Sequence, residues 1–363
     1  MTRNRDVLEE LVESGGIAIR RSPIFDEAPT AIARLDADRV EGMLLGVAIG
    51  DALGRPSEGR RPEVRRKRFG EIRDYMVGRR ATEPIGLPSD DTQLTFWILE
   101  QLNEDRGFVP EHVARKIVRG GVIYGMGGTV ARARKALKQG VHWTEAGQRS
   151  AGNGALMRIA PMLVPHLRSA TSELWVDTAL SAMMTHNDSS SISSCVAFID
   201  MLWSLLGRAS PPPREWWIER YVERASALED GTTYQPRGGR FAGEPHRCST
   251  FVDEKVRWAL ERALSTVDAC NSWYSGAYML ETMPSVILIL ARHGHDPEEA
   301  ILRAVNDTKD NDTIAAIVGA AAGALHGRSA FPRRWIDGLS GRTGDDDDGK
   351  VFELLEQTRA LWC

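Results

Sequence analysis

The chain has 363 residues and carries 46 Lys+Arg against 50 Asp+Glu, a formal net charge of −4. With 42% hydrophobic and 26% charged residues its composition is globular, which excludes disorder, collagen-like repeats and coiled coil as global descriptions. The slight acidity argues against nucleic acid as a partner, because such binding draws on an excess of Lys and Arg. No membrane partner is expected: the apolar runs 285–290 and 314–325 are too short or too rich in Gly and Ala to span a bilayer, which takes about 20 residues. The first twenty residues are charged throughout and show no signal-peptide pattern, so the expected location is cytoplasmic. Cys195, Cys248, Cys270 and Cys363 lack pair spacing and suggest neither a disulfide framework nor a zinc site.

Residues 1–37 read as an N-terminal extension: a short charged helix over 6–13, then Gly15, Gly16, Pro23 and Pro29 as punctuation. From residue 38 the pattern turns helical, with Val40, Met43, Leu44 and Val47 at three- and four-residue spacing and Gly42, Gly46 and Gly50 allowing close packing. Helical periodicity recurs over 92–102, 113–118, 130–137, 174–184, 192–206, 216–228, 255–264, 278–291, 297–305, 313–325 and 352–361. Alternating strands are missing and no linker divides the helices. The expectation is an all-α, single compact domain over 38–363, with 231–249 as its longest loop.

Two acidic cassettes stand at helix starts: Ser89-Asp90-Asp91-Thr92 and Asp310-Asn311-Asp312-Thr313. Taken singly, each is simply explained as capping, since Ser and Asp are preferred N-caps and acids complement the helix dipole. Together they say more. If the two starts converge, Asp90, Asp91, Asp310 and Asp312 repel one another unless cations sit between them. An all-oxygen donor set favours Mg²⁺, or Mn²⁺, over zinc.

Two glycine-rich loops, 125–129 and 150–154, run into helical segments and could present backbone N–H groups to an anion. Either could equally be a plain turn. Glu58 follows the first glycine-rich helix and could reach a cleft or face solvent. His186 in Thr185-His186-Asn187-Asp188 is by default a structural histidine. The basic stretch 60–68 and the run Asp345–Asp348 read as solvated surface, and the tryptophans as core.

In this order, the segments GMLLGVAIGDALG, SDDTQLTFWIL, SAGNGALMRIAPM, a Thr-His step, GAYMLETMPSVILIL and NDTKDNDTIAAIVGAAAGALHG resemble the ADP-ribosylglycohydrolase family, which includes the dinitrogenase reductase-activating glycohydrolase. The resemblance runs from about residue 38 to 327. It implies an all-α fold and a two-magnesium site, Mn²⁺ being a possible substitute, that hydrolyses ADP-ribose linkages on proteins. It implies metal ligation by Ser89, Asp90, Asp91, Asp310, Asp312 and Thr313, with Ser89 standing where the family usually has Thr. Glu58 and Asp91 become the candidate catalytic bases, and Glu58 is preferred because a carboxylate beside two cations is a weaker base. Gly127, Gly128, Ser150, Gly152, Asn153, Gly154 and His186 become the candidate substrate-binding set. Some members acting on arginine linkages carry an aspartate where this chain has Gly125.

The extension resembles that of a bacterial immunity subgroup that counteracts ADP-ribosyltransferase toxins. The expected function is therefore removal of ADP-ribose from arginine in modified proteins, with a cognate toxin as partner. A non-catalytic inhibitor that occludes a toxin through residues 1–37 is the alternative. A metal-dependent phosphohydrolase fits less well, because the His-Asp ligand sets of common all-α versions are absent.

Overall fold

Residues 3–77 and 83–363 are described by the structure, a computed structural model; Met1 and Thr2 of the extension lie outside the described residues. In chain order the α-helices are α1 (Arg3–Ser14), α2 (Ala37–Gly54), α3 (Pro62–Phe69), α4 (Asp90–Asp105), α5 (Pro110–Arg119), α6 (Gly128–Lys138), α7 (Trp143–Ala146), α8 (Glu173–Met183), α9 (Ser189–Leu206), α10 (Arg214–Ser226), α11 (Cys248–Glu261), α12 (Thr266–Ser272), α13 (Met279–His293), α14 (Pro297–Asp307), α15 (Asn311–His326), α16 (Arg333–Asp337) and α17 (Lys350–Trp362). Strand pairing among the described residues is limited to isolated bridges, so the fold is all-α, in one domain.

The centre of the fold is the antiparallel pair α2 and α15. Gly42, Gly46, Gly50 and Gly54 recur every four residues and so share one face of α2. A Cβ at any of them would fall inside 3.0 Å of α15 or its C-terminal edge: Gly42 against Gly323, Gly46 against Gly319, Gly50 against Ala315, Gly54 against Asp312. Only a side-chain-free ridge lets the two backbones approach so closely. The order of these pairs sends the C-terminus of α2 to the N-terminus of α15, where the second acidic cassette begins.

Around this pair the core is continuous. The helix α9 is long and apolar enough to cross a membrane by length and composition, which the apolar runs noted in the sequence did not include. It lies 94% buried inside the protein and packs against α8, α10 and α15, so it is a core helix here. Trp97, Trp203, Trp217 and Trp273 are buried as expected, while Trp216 is half-buried.

Residues 3–35 pack on the body. Leu8, Ile17, Ile19, Ile24 and Phe25 are buried in the common core. Asn4 Nδ2 donates to Asp177 at 2.7 Å and Arg5 pairs with Glu173 at 2.6 Å, both partners lying on α8. Asn187 clamps the following turn: its Oδ1 accepts from Ala18 N at 2.9 Å and its Nδ2 donates to Gly16 O at 2.7 Å.

Candidate metal and substrate site

The helix α4 starts with a cap borrowed from α2. The Ser89 side chain makes no cap hydrogen bond to its own helix. Instead Asp51 Oδ2 accepts from Ser89 N at 2.7 Å, Thr92 N at 3.1 Å and Thr92 Oγ1 at 2.6 Å, while Oδ1 accepts from Ser89 Oγ at 2.6 Å. With its first-turn N–H groups satisfied from outside, α4 leaves Asp90 and Asp91 free to face the centre. Asp310 likewise makes no side-chain cap bond at the start of α15. Capping therefore does not account for these carboxylates.

The two cassettes converge. One oxygen from each of Asp51, Asp91 and Asp312 lies within 4.8 Å of the others, and the same holds for Glu58, Asp310 and Asp312. Asp312 belongs to both groups. Thr313 Oγ1 donates to Asp91 Oδ2 at 3.5 Å across the junction. Asp51 is the site residue that sequence reasoning missed. It lies one turn before Gly54 on the ridge face, and only the fold shows that it points at α4 and not at solvent.

The electrostatics of this cluster are unfavourable in the bare protein. Burial raises the carboxyl pKa of Asp91 and Asp312 well above the ordinary range, reinforced by the neighbouring aspartates. Asp90 is pushed up to about 7 by burial and then by Asp51, and Asp310 to about 6 by burial, against a lowering bond from Asn153. Asp91 Oδ1 is buried with no hydrogen-bond partner. An orphaned carboxylate oxygen, an all-oxygen donor set and mutual repulsion together fit divalent cations held by Ser89, Asp90, Asp91, Asp310, Asp312 and Thr313. Asp51 fits a supporting role, since its oxygens are already engaged by four donors.

A cavity of about 260 Å³ opens from this cluster. It brings together Glu58, Asp90, Asp310, Asp312 and Thr313 with Gly127, Gly128, Ser150, Gly152, Asn153, Gly154 and His186. Ser89 and Asp91 lie buried beneath it. Glu58 sits exposed at the mouth, just past the 3-10 turn Arg55–Ser57. Partial burial raises its pKa, which a hydrogen bond with Asp312 partly offsets. Arg65, fully buried on α3, braces this turn against the second cassette: its Nε donates to Ser57 Oγ at 2.9 Å and its Nη1 to Thr308 O at 2.6 Å. In the basic stretch 60–68, Arg65 is thus structural and not solvated surface.

The glycine loops differ from one another. Gly127 and Gly128 open α6, so that loop does present a helix N-terminus to the cavity. The 150–154 loop instead enters the short 3-10 turns Leu156–Arg158 and Ala160–His166, where Pro161 and Pro165 prevent a regular α-helix. The expected helix start is absent there. Its glycines serve proximity: a Cβ on Gly152 or Gly154 would lie 3.2 or 2.9 Å from the His186 ring. Asn153 Nδ2 donates to Asp310 Oδ2 at 2.7 Å, tying this loop to the second cassette.

His186 is buried and neutral, its pKa lowered to about 3 by burial and by Arg158 and Arg132. Arg158 donates to Thr185 Oγ1 at 2.8 Å, and Thr185 Oγ1 lies 3.0 Å from His186 Nδ1. Arginine can only donate, so Thr185 Oγ1 accepts from Arg158 and keeps its own proton for Nδ1, an arrangement compatible with an imidazole N–H on Nε2, toward Gly152. Gly125 adopts φ +83°, and a Cβ there would stand 2.8 Å from Asp90 Oδ1. An acid at this position would collide with the carboxylate cluster at Asp90 unless the loop moved.

Arg237 and Tyr278 also line the cavity; neither was singled out in the sequence, although Tyr278 lies in the segment GAYMLETMPSVILIL. Arg237 comes from the long loop before α11. Its Nη2 and Nε donate to Glu281 at 2.7 and 3.1 Å, the Glu281 side chain is fully buried, and the guanidinium lies 5.3 Å from the Tyr278 ring centroid. No residue of 3–37 lines the cavity.

The ADP-ribosylglycohydrolase family model matches residues 32–361. The chain belongs to the ADP-ribosylglycohydrolase family. It is 30% identical over 323 residues to an uncharacterized protein of Archaeoglobus fulgidus, covering 87% of this chain and 97% of that one. It is 26% identical to the ADP-ribosylarginine hydrolase Tri1 of Pseudomonas putida, over 83% of this chain and 74% of that one. It is also 26% identical to the ADP-ribosyl-[dinitrogen reductase] glycohydrolase of Rhodospirillum rubrum, over 88% of this chain and 96% of that one. A solved structure titled ADP-ribosylglycohydrolase-related protein complex superposes with a TM-score of 0.66 at 26% identity, over 90% of this chain and 97% of that one. Hydrolysis of ADP-ribose linkages is thereby supported for the chain at the level of the family.

Proposed function

We propose that the chain is a divalent-metal-dependent hydrolase that removes ADP-ribose from arginine in modified proteins. The carrying observation is the convergence of two carboxylate groups on the shared Asp312, with Asp91 Oδ1 left unpartnered. The arginine linkage is supported by the relatives named ADP-ribosylarginine hydrolase, at 26 and 27% identity.

Ser89, Asp90, Asp91, Asp310, Asp312 and Thr313 would hold two ions, with Mg²⁺ favoured over Mn²⁺ for so hard a donor set. Such ions supply charge stabilisation and lower the pKa of water. Glu58, the exposed member of the carboxylate cluster at the cavity mouth, takes the proton from the attacking water. Its raised pKa brings it toward the pH at which a general base works best. The neutral His186 offers its Nε2–H to a substrate hydroxyl. The N-terminus of α6, reinforced by Gly127 and Gly128, receives the diphosphate. Arg237, held rigid by Glu281 and stacked on Tyr278, fits the nucleotide end of the substrate.

A cytoplasmic immunity role against an ADP-ribosyltransferase toxin belongs to this reading, as reversal of the toxin's modification. Residues 3–25 are engaged with the chain's own body, so occluding a toxin with them would first require detachment. That favours catalysis over occlusion. The deciding experiment is release of free ADP-ribose from an arginine-ADP-ribosylated protein with Mg²⁺ and with excess chelator. Metal-dependent release is expected; undiminished release in chelator, or none with metal, overturns the reading.

A further inference from the structure

A second cleft, with a volume of about 660 Å³, lies behind the 124–129 loop, between α5 and the segment 343–348. It is larger than the catalytic cavity and within the range of small-molecule sites, roughly 300–1,000 Å³. One wall is the basic face of α5, with His112, Arg115, Lys116 and Arg119 at helical spacing. His112 is engaged by Asp105 and Lys116 by Glu100. Arg115 and Arg119 are exposed and have neither an ion pair nor a hydrogen bond among the described residues. They are two free guanidiniums one helical turn apart.

The cleft is preformed. Trp97 Nε1 and Gln93 Nε2 both donate to Thr343 O, at 3.1 and 3.2 Å, which fixes the far wall to α4. Gly120 lies flat on the Trp97 ring, where a Cβ would overlap it, and this forms a smooth floor. Gln93 also accepts from Tyr124 N at 2.8 Å, and Tyr124 O accepts from Asp90 N at 2.8 Å, so the cleft and the 124–129 loop share a wall.

We propose that this cleft is a second binding site, for a small phosphorylated molecule whose phosphate or diphosphate is gripped by Arg115 and Arg119. Guanidinium forks match phosphate oxygens bidentately, and a preformed cleft spends little ordering entropy on binding. The far wall carries exposed Asp348, with Asp345–Asp347 beside it. Those carboxylates confine anion contact to the α5 wall, where two guanidiniums one turn apart suit a compact phosphate better than an extended polyanion.

The test titrates the full-length protein with inorganic diphosphate, with ADP, with a polyglutamate peptide and with a short oligonucleotide. Binding is read by calorimetry and by amide shifts of Gly120, Gly121, Thr343 and Gly344. The expected result is shifts at these amides with diphosphate or ADP, and affinity about tenfold or more weaker in the Arg115→Ala/Arg119→Ala variant. The Arg115→Lys/Arg119→Lys variant, which keeps the charge but loses the fork, should fall between. Hydrolysis of ADP-ribosylated protein should be unchanged in both. Read at the amides of Gly120, Gly121, Thr343 and Gly344, tighter binding of ADP than of diphosphate marks a nucleotide and equal affinity a simpler phosphate ester. Shifts confined to Gly127–Thr129 and Gly152–Gly154, equal affinity in the alanine variant, or binding only of the peptide or oligonucleotide would overturn the proposal.

Discussion

Gly54 and Asp312 meet so closely that a Cβ on the glycine would overlap the backbone N and Cα of the aspartate. This contact, at the end of the glycine ridge, places the second acidic cassette against the turn that carries Glu58. Gly54→Ala should therefore cost about 1–3 kcal/mol of stability, as overpacking does, and weaken divalent-ion binding in parallel. Gly107→Ala is the control: nothing lies within 4 Å of its Cβ position, and its change should stay within about 0.5 kcal/mol. Chemical denaturation and Mn²⁺ calorimetry on both variants would check this. A stable Gly54→Ala protein with undiminished ion affinity would contradict it.

Asp51 positions the first cassette without being needed as a ligand. Asp51→Asn replaces one acceptor oxygen with a donor and leaves buried Ser89 or Thr92 groups facing it unpaired, at a cost of about 1–3 kcal/mol. The midpoint of thermal unfolding should fall, and ion affinity with it. Conversion to a fully stable variant would show that the four hydrogen bonds are not what holds α4 in place.

Removing metal should make stability sensitive to pH in a stated direction. Asp90 and Asp310 have folded pKa values of about 7 and about 6 against an ordinary 3.8, so between pH 4 and 7 the folded metal-free protein binds more protons than the unfolded chain. Their contribution is fully present below pH 4 and is lost as pH rises through 6 to 7. His186 and His293, lowered to about 3 and about 4, act oppositely, losing stability as pH falls below 6.5. The comparison that isolates the carboxylates is the rise in unfolding temperature caused by Mg²⁺. It should be several degrees larger at pH 8 than at pH 5.5, and an equal rise at both would count against proton–metal competition at this cluster.

Glu58→Gln should lower kcat by about 10²–10⁴-fold while leaving Mn²⁺ affinity nearly unchanged. Asp312→Asn, at the residue shared by both carboxylate groups, should remove activity and ion binding together. Single-turnover kinetics beside calorimetry would separate the two. If both variants lose metal equally, Glu58 is a ligand and not the base.

Arg237→Ala should raise KM about tenfold with kcat within a factor of about two, because the guanidinium lines the cavity wall and pairs with Glu281, not with the acids converging on Asp312. A fall in kcat at constant KM would move Arg237 into the reacting centre.

Much of this was legible in the sequence because it is local. Helical periodicity announced α4, α9, α13 and α15, and the two cassettes stood out because two acids and a hydroxyl within one turn are a short-range pattern. The ordered motifs pointed to the family that the 32–361 match establishes. What remained hidden depends on contacts between distant segments. Asp51 stands 38 positions from Ser89, and Glu281 stands 44 from Arg237. Neither pair has a spacing that marks it. The 150–154 loop misled for the same reason, since its glycines answer to the His186 ring and not to a helix start.

By itself the sequence determined the longer helices, the glycine ridge and the two acidic cassettes, since periodicity, missing Cβ atoms and carboxylate pairs are properties of neighbouring residues; the short helices α7, α12 and α16 were not marked in it. Only the tertiary structure decided that the two helix starts share one site. Bringing Asp91 and Asp312 together costs electrostatic energy that no local preference supplies; the close packing of α2 on α15 and the hydrogen bonds at Asp51 supply it.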